Sequence, residues 1–258
     1  MAIRSIEVSN ITLSQPEEVT FTKGYVPGRK PQDADFYDPS YFSGAKHKQG
    51  IQFPVNGAFL NPESEYRYKF QDILSWISAY VKEGTVLDVG AGPGHLAYWS
   101  KKMEKPLRVI GCDISLSLLQ SEYNQNRGQS LSSNPYELPF ADGKFQAVLF
   151  SDILEHIWPH QAVQSIKEAH RLLGEHGYVF VNIPNRITWS SAAQKDQGHV
   201  WLPSIKEAEH LLVLGGFGKN GIKTFSRGFP VSSTFREVTG NDLKLPLFGR
   251  SIFTCAKK

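Results

Sequence analysis

The sequence predicts an α/β fold with a mostly parallel, doubly wound sheet that carries helices on both faces. From Thr85 onward, short apolar runs of strand length alternate with amphipathic segments of helical length. Strands that alternate with helices form parallel sheets, because each crossover places a helix on a face of the sheet. A length of 258 residues is enough for one such domain and a smaller extension.

Each element is indicated by its own local pattern. Apolar residues close to the 3.6-residue period predict a first helix over 64–82. Pro159 stands near the first turn of a later helix, and Ser204 with Glu207 forms a capping box at the start of the last one. The predicted strands are TVLDV (85–89), LRVIGC (107–112), QAVLFSD (146–152), YVFVNI (178–183), GIKTF (221–225) and SIFTCA (251–256), and the other predicted helices cover 94–103, 115–125, 160–173 and 204–214.

Composition and charge disfavour several classes of protein. The net charge is +3 and no run of five or more basic residues occurs, which argues against a dedicated nucleic-acid binder. The two cysteines, Cys112 and Cys255, stand in apolar stretches, so we expect buried free thiols and no disulfide or cysteine-based zinc site. Since no stretch approaches the roughly 18 apolar residues of a membrane span, we expect a cytoplasmic protein with no membrane partner.

The first 63 residues differ in composition from the rest. Apolar and polar residues alternate over 3–13, which allows one short strand. Between 14 and 63, six prolines interrupt any long helix or strand. Aromatic residues are scattered between the prolines, whereas a disordered tail would be poorer in them. We therefore predict an N-terminal extension at 1–63 that caps the active site, followed by the main domain at 64–258.

A glycine-rich turn follows the strand predicted at 85–89. The segment VLDVGAGPG (86–94) places Gly90, Gly92 and Gly94 directly after apolar residues. Glycines let the backbone approach a ligand closely and turn into a helix, and doubly wound sheets bind ligands at the carboxyl ends of their strands. A dinucleotide fingerprint would have a glycine where this chain has His95. The turn therefore predicts a ligand site other than that for a dinucleotide.

An acidic residue ends the next predicted strand. Asp113 lies 113 − 88 = 25 positions after Asp88. A carboxylate at this strand end can accept both hydrogen bonds of a ribose diol. The two features together predict a nucleoside-containing cofactor at this edge of the sheet.

These motifs resemble those of class I S-adenosylmethionine-dependent methyltransferases of the small-molecule group that includes ubiquinone-pathway O-methyltransferases. VLDVGAGPG resembles the glycine motif and VIGCDIS (109–115) the acidic ribose loop. LPFADGKFQAVLFSDILEHI (138–157) and LLGEHGYVFVNIPN (172–185) resemble the regions of the fourth and fifth strands. The resemblance covers residues 85–225 and implies a Rossmann-like, seven-stranded sheet with S-adenosylmethionine as cofactor.

The resemblance also implies which residues hold the cofactor. In the adenine region Pro135 has no N–H to donate, so either Tyr136 or a water would make that contact, or the adenine would be held mainly by packing. Asn134 would accept from the adenine amino group through its side-chain oxygen. Arg67 would either bind the methionine carboxylate of the cofactor in a bidentate contact or be a surface arginine. The implied cofactor-binding residues are Arg67, Asp88, Gly90, Ala91, Gly92, Asp113, Ile114, Asn134, Pro135, Tyr136 and Ser151.

Acidic and histidine side chains follow the fourth strand. The pattern Asp152-x-x-Glu155-His156, with His199 further on, resembles the set that binds a divalent metal in small-RNA 2′-O-methyltransferases and ubiquinone-pathway O-methyltransferases. A helical turn beginning near Ser151 would direct the first three toward one cleft. Three interpretations stay open at this point: a metal site, a metal-free base at His156 or His199, and purely structural roles.

The function expected from these motifs is methyl transfer from S-adenosylmethionine to a small-molecule or sugar-containing metabolite, at oxygen. An RNA methyltransferase is the first alternative, which the modest charge disfavours. A catalytically inactive, cofactor-binding regulatory partner is the second. The intact glycine turn argues against loss of the cofactor, and the histidines argue against loss of chemistry.

Overall fold

A computed structural model describes residues 24–37, 41, 60–64, 67–120, 129–188, 196–227 and 249–258. The strand predicted within 3–13 and most of the 1–63 extension lie outside the described residues. The same holds for the end of the helix predicted at 115–125. The described ranges include the strands that give the strand order of the predicted domain.

The strands and helices follow the predicted order closely. The capping box is present, with the Ser204 side chain accepting from the Glu207 N–H and the Glu207 carboxylate accepting from the Ser204 N–H. The helices are α1 Arg67–Tyr80, α2 His95–Lys102, α3 Leu116–Leu119, α4 Pro159–Leu172 and α5 Ile205–Leu214. The strands are β1 Gly84–Val89, β2 Leu107–Asp113, β3 Gln129–Ser132, β4 Phe145–Ser151, β5 Leu173–Pro184, β6 Lys223–Arg227 and β7 Ser251–Lys257.

The seven strands form one sheet in the order β3-β2-β1-β4-β5-β7-β6. Strands β1 to β5 pair in parallel, and β7 runs antiparallel between β5 and β6. The order reverses between β1 and β4, which creates a crevice at the carboxyl ends of these strands. The predicted Rossmann-like, mostly parallel fold is confirmed. The short strand β3 and the insertion of β7 between β5 and β6 had no signal in the sequence pattern.

The core lies on both faces of the sheet. Leu87 and Val148 pack with helices α4 and α5 on one face, while Val86 and Leu149 pack with α1 and α2 on the other. Neighbouring residues of one strand enter different clusters because successive side chains point to opposite faces. Each of these side chains is fully buried and contributes about 1.5–3 kcal/mol by burial.

Two further expectations can be compared with the described residues. Cys112 and Cys255 are buried free thiols, as predicted. Among the helices that the structure describes, none combines the length and the apolar character needed to span a bilayer.

Candidate active site

The glycine turn joins β1 to α2 in a backbone conformation that suits glycine. Gly90, Gly92 and Gly94 have φ values of 74°, 52° and 77°, in the left-handed region that side chains disfavour. The N–H groups of Gly90 and Ala91 donate to the Cys112 carbonyl at 2.7 and 2.9 Å. A Cβ on Gly90 would lie 2.0 Å from Cδ1 of Ile153. The turn is therefore packed against the residues that follow β4.

Asp113 holds this turn to the end of β2. Its carboxylate accepts from the Gly92 N–H at 2.8 Å and from the Ser115 N–H at 2.9 Å. Burial raises the pKa of Asp113, while the backbone hydrogen bonds from Ser115 and Gly92 oppose that shift. A third backbone hydrogen bond, from Ile114, also opposes the shift, so one of the roughly four acceptor positions of the carboxylate remains for a ribose hydroxyl. The ribose role of Asp113 stays a prediction.

The segment proposed for adenine lies next to this edge. Ser132 pairs with Asp113 in the sheet, and a turn follows in which the Glu137 N–H donates to the Asn134 carbonyl at 3.3 Å. Asn134, Pro135 and Tyr136 are half-buried, as are Ile114 and Ser151. The structure thus brings these predicted cofactor residues to one edge of the sheet.

Lys69, and not Arg67, is the basic residue of α1 that reaches the strand ends. The Arg67 guanidinium donates to the carbonyls of Glu63 and Ser64 and to the Tyr68 hydroxyl, at 3.0, 3.3 and 2.6 Å. The Lys69 ammonium pairs with Asp152. Lys69 belongs to no motif, so sequence reasoning missed it. The assignment of Arg67 to the cofactor stays a prediction, but the hydrogen bonds given above join its guanidinium to residues of its own segment.

Three of the four predicted metal ligands come together after β4. Glu155, His156 and His199 each offer a ligand atom within 4.8 Å of the others. The Nε2 atom of His199 lies 3.8 Å from Oε1 of Glu155, and the rings of His156 and His199 have centroids 4.7 Å apart. We refer to these three side chains as the His–Glu cluster.

The backbone around the cluster explains its position. Leu154–His156 forms a single 3-10 turn directly beyond β4. The Leu154 carbonyl accepts from Nε1 of Trp201 at 2.7 Å, and the Glu155 carbonyl accepts from the Val200 N–H at 2.9 Å. These bonds bring the segment that carries His199 against the turn that carries the other two side chains.

Asp152 is not among the three side chains that form this cluster, and its assignment as a metal ligand stays a prediction. Asp152 has a left-handed backbone with φ 52°, and the described turn starts only at Leu154. One Asp152 oxygen pairs with Lys69, and the other accepts from Nδ2 of Asn182 at 3.2 Å. These partners from α1 and β5 engage both oxygens of the carboxylate, and its charge still acts on Glu155 and His156.

Glu155 is fully buried and His156 is half-buried, and the pKa values of both side chains are shifted. Glu155 is 0% exposed, and neither of its carboxylate oxygens has a hydrogen-bond partner within the described ranges. Burial first, and then the charge of Asp152, raise the pKa of Glu155 well above its usual range. Burial and the neighbouring His199 lower the pKa of His156 to about 4. At neutral pH His156 is therefore a neutral imidazole with one lone pair.

Two tyrosines of the N-terminal extension reach this cluster. The Tyr37 hydroxyl lies 3.2 Å from Nδ1 of His156. The Tyr41 hydroxyl donates to both oxygens of Asp196 at 3.1 Å, and one of these oxygens, Oδ2, lies 3.8 Å from Nε2 of His199. Sequence reasoning missed Tyr37, Tyr41 and Asp196. Their signal was only the excess of aromatic residues in a segment predicted to cap the site.

Comparison with known proteins supports the interpretation of the central segment. Residues 87–181 match the family model described as a methyltransferase domain. A probable S-adenosylmethionine-dependent methyltransferase of Mycobacterium tuberculosis is 28% identical over 132 residues, which are 51% of this chain and 47% of that protein. A ubiquinone/menaquinone biosynthesis C-methyltransferase of Desulfotalea psychrophila is 30% identical over 93 residues, 35% of this chain and 37% of the relative.

A solved structure shares the fold. A SAM-dependent methyltransferase from Archaeoglobus fulgidus superimposes with a TM-score of 0.60 and 18% identity, over 76% of this chain and 95% of that chain. At this identity the likeness concerns the fold alone, and the domain match supplies the family. Residues 87–181 therefore belong to a methyltransferase domain, and the fold is shared with an S-adenosylmethionine-dependent methyltransferase. It spans about half the length, or less, of the curated relatives reported above.

In this methyltransferase domain the His–Glu cluster fits a divalent cation. A buried carboxylate without hydrogen bonds needs a proton or a cation as partner, and Glu155 is such a group. Two imidazoles and one carboxylate are a donor set that suits manganese, iron or zinc. The same set also suits a metal-free base, since His156 is neutral. The donor chemistry therefore keeps both interpretations open and disfavours a purely structural role.

The methyltransferase domain also holds a buried carboxyl group at the end of β1. Burial first, and then the charge of Asp113, raise the pKa of Asp88 to about 7, while Lys69 lowers it. The ordinary pKa in an unfolded chain is about 3.9. Because the folded value is the higher one, the stabilisation is present below about pH 4 and is lost as the pH rises toward 7.

Replacing Asp88 by asparagine should therefore flatten the pH dependence of stability. We expect the free energy of unfolding of the natural protein to fall by up to about 4 kcal/mol between pH 4 and 7 on account of this group. The Asp88→Asn variant should lack that component. Chemical denaturation at several pH values gives the difference between the two proteins, and parallel profiles would contradict the assignment.

Proposed function

We propose that this protein transfers the methyl group of S-adenosylmethionine to an oxygen atom of a small-molecule or sugar-containing acceptor. The observation that carries the proposal is the buried His–Glu cluster next to the glycine turn. Ile153, which packs on Gly90, is separated from Glu155 only by Leu154. The proposed acceptor site and the predicted cofactor site therefore adjoin each other.

The chemistry of transfer explains why such a cluster supports oxygen as the target. The sulfonium cofactor already carries an activated methyl group, so the protein has to align the acceptor and take its proton. Alignment is worth roughly 7–11 kcal/mol. A hydroxyl is a weak nucleophile until its proton leaves, and the neutral imidazole of His156 offers the unprotonated nitrogen that a general base needs.

The finer proposal includes a divalent cation. Glu155, His156 and His199 would hold it, and a bound cation would lower the pKa of the acceptor hydroxyl. Asp152 is outside this proposed ligand set, since Lys69 and Asn182 engage its carboxylate.

A second candidate is transfer to carbon. It is favoured by the similarity to the C-methyltransferase of Desulfotalea psychrophila. Methylation of an activated ring carbon also releases a proton, so the same cluster would serve. The two candidates differ in the product and not in the groups required of the protein.

The test is a homocysteine-release assay with phenols, catechols, vicinal diols and sugars, each supplied with S-adenosylmethionine. We expect release with hydroxyl-bearing acceptors and a product with one added methyl group, which NMR then assigns to oxygen or carbon. Assays with a chelator and with added Mn²⁺ or Mg²⁺ test the cation. Cofactor binding by calorimetry, combined with transfer to amines alone, would overturn the oxygen and carbon proposals together.

A further inference from the structure

The N-terminal extension is tied to the segment that carries His199. The Leu202 N–H donates to the Gly24 carbonyl at 2.7 Å, and the Val26 N–H donates to the Val200 carbonyl at 2.9 Å. Tyr25 and Trp201 pair as an isolated antiparallel bridge. These backbone hydrogen bonds place residues 24–26 beside the His–Glu cluster. They form whichever molecule accepts the methyl group.

From this anchored segment Tyr37 reaches one edge of His156. Its hydroxyl oxygen lies 3.2 Å from Nδ1, and the two rings meet edge to face with centroids 5.5 Å apart. Gly198 covers the same edge: a Cβ on this residue would lie 2.6 Å from Nδ1 and 3.2 Å from the Tyr37 hydroxyl. Tyr37 and Gly198 together fill the space at Nδ1.

We propose that Tyr37 is a positioning residue, which accepts a hydrogen bond from Nδ1–H of His156 and so leaves the lone pair of the imidazole on Nε2. The nitrogen that carries the proton in a neutral histidine is set by the bond that the other nitrogen makes. This inference rests on the proposed function, in which His156 takes a proton or binds a cation. In both roles the working nitrogen must be unprotonated, and Nε2 is the one that Tyr37 and Gly198 leave uncovered.

The phenol has the group that this direction of the hydrogen bond requires. Burial and the nearby carboxylates raise the pKa of Tyr37. The phenol thus keeps its own hydrogen, and its oxygen has a lone pair for Nδ1–H; the tautomer of His156 distinguishes this arrangement from donation by the phenol to an unprotonated Nδ1.

The tautomer of His156 can be measured without any acceptor. The probe is full-length protein with ¹⁵N-labelled histidines, in chelator, at one fixed neutral pH, with the His156 signals assigned from a His156→Asn variant. We expect Nδ1 of His156 in the protonated range and Nε2 in the unprotonated range. Tyr37→Phe keeps the ring and removes the oxygen, so it should give a mixture of both tautomers.

Tyr25→Phe is the matched control. The Tyr25 hydroxyl belongs to the same segment and has no hydrogen-bond partner in the part of the chain that the structure describes. This variant should leave both His156 signals where they are. A protonated Nε2 in the natural protein would overturn the proposal, even if Tyr37→Phe fails to fold. An unchanged tautomer in a folded Tyr37→Phe variant would overturn it too.

Turnover gives an independent measurement once an acceptor is found. Loss of a group that orients a histidine typically lowers activity about 10–100-fold, and we expect a loss of this size in kcat for Tyr37→Phe with unchanged affinity for S-adenosylmethionine. The tautomer spectrum does not depend on methyl transfer. An absence of transfer would therefore contradict the proposed function alone, and a wrong tautomer would contradict the role of Tyr37 alone.

Discussion

Replacing Gly90 by alanine is expected to abolish binding of S-adenosylmethionine. Gly90 has φ 74°, where a residue with a Cβ costs about 1–2 kcal/mol. Its new Cβ would also lie 2.0 Å from both Cγ1 and Cδ1 of Ile153. Relief of this overlap requires movement of the Ile153 side chain, of the turn or of the segment after β4. Overpacking typically costs 1–3 kcal/mol, and all of these parts border the predicted cofactor site.

Calorimetric titration with S-adenosylmethionine measures this effect. Gly218→Ala is the control, because nothing lies within 4 Å of a Cβ at this position and its φ is −67°. The double variant Gly90→Ala, Ile153→Ala removes the overlap but keeps the backbone strain, so we expect it to regain part of the affinity. Gly90→Ala protein that binds the cofactor with unchanged affinity would place the cofactor away from this turn.

The double variant His156→Ala, His199→Ala is expected to lose methyl transfer while it keeps the cofactor. A positioned general base typically contributes about 10²–10⁴-fold to the rate, and this variant removes both imidazoles of the cluster. The binding of S-adenosylmethionine should change little, since the glycine turn and Asp113 are untouched. Homocysteine release with the best acceptor gives the rate, and calorimetry gives the affinity.

His210→Ala is the matched control for this pair, because His210 is a half-buried histidine of α5 outside the cluster. Its rate should equal that of the natural protein. Assays of the natural protein in chelator then distinguish a cation site from a metal-free base. Loss of activity that Mn²⁺ restores indicates the cation, and full activity in chelator indicates a metal-free base. Undiminished transfer by the double variant would exclude both and leave alignment alone to accelerate the reaction.

Local sequence signals predicted the sheet and the cofactor edge. Apolar runs gave the strands from β1 onward except β3, and the capping box of Ser204 and Glu207 gave the start of α5. The glycines at 90, 92 and 94 have the left-handed backbone that only glycine adopts at little cost. These features could be predicted from the sequence because each depends on residues that are close together in the chain.

The composition of the candidate active site was decided by the tertiary structure. Asp152 has the right residue type for a metal ligand, but Lys69, 83 positions earlier in the chain, pairs with it. Tyr37 meets His156 across 119 positions, and Tyr41 meets Asp196 across 155. No periodicity or motif spans such separations. The sequence thus determined the fold and the place of the site, whereas long-range packing decided which side chains share it.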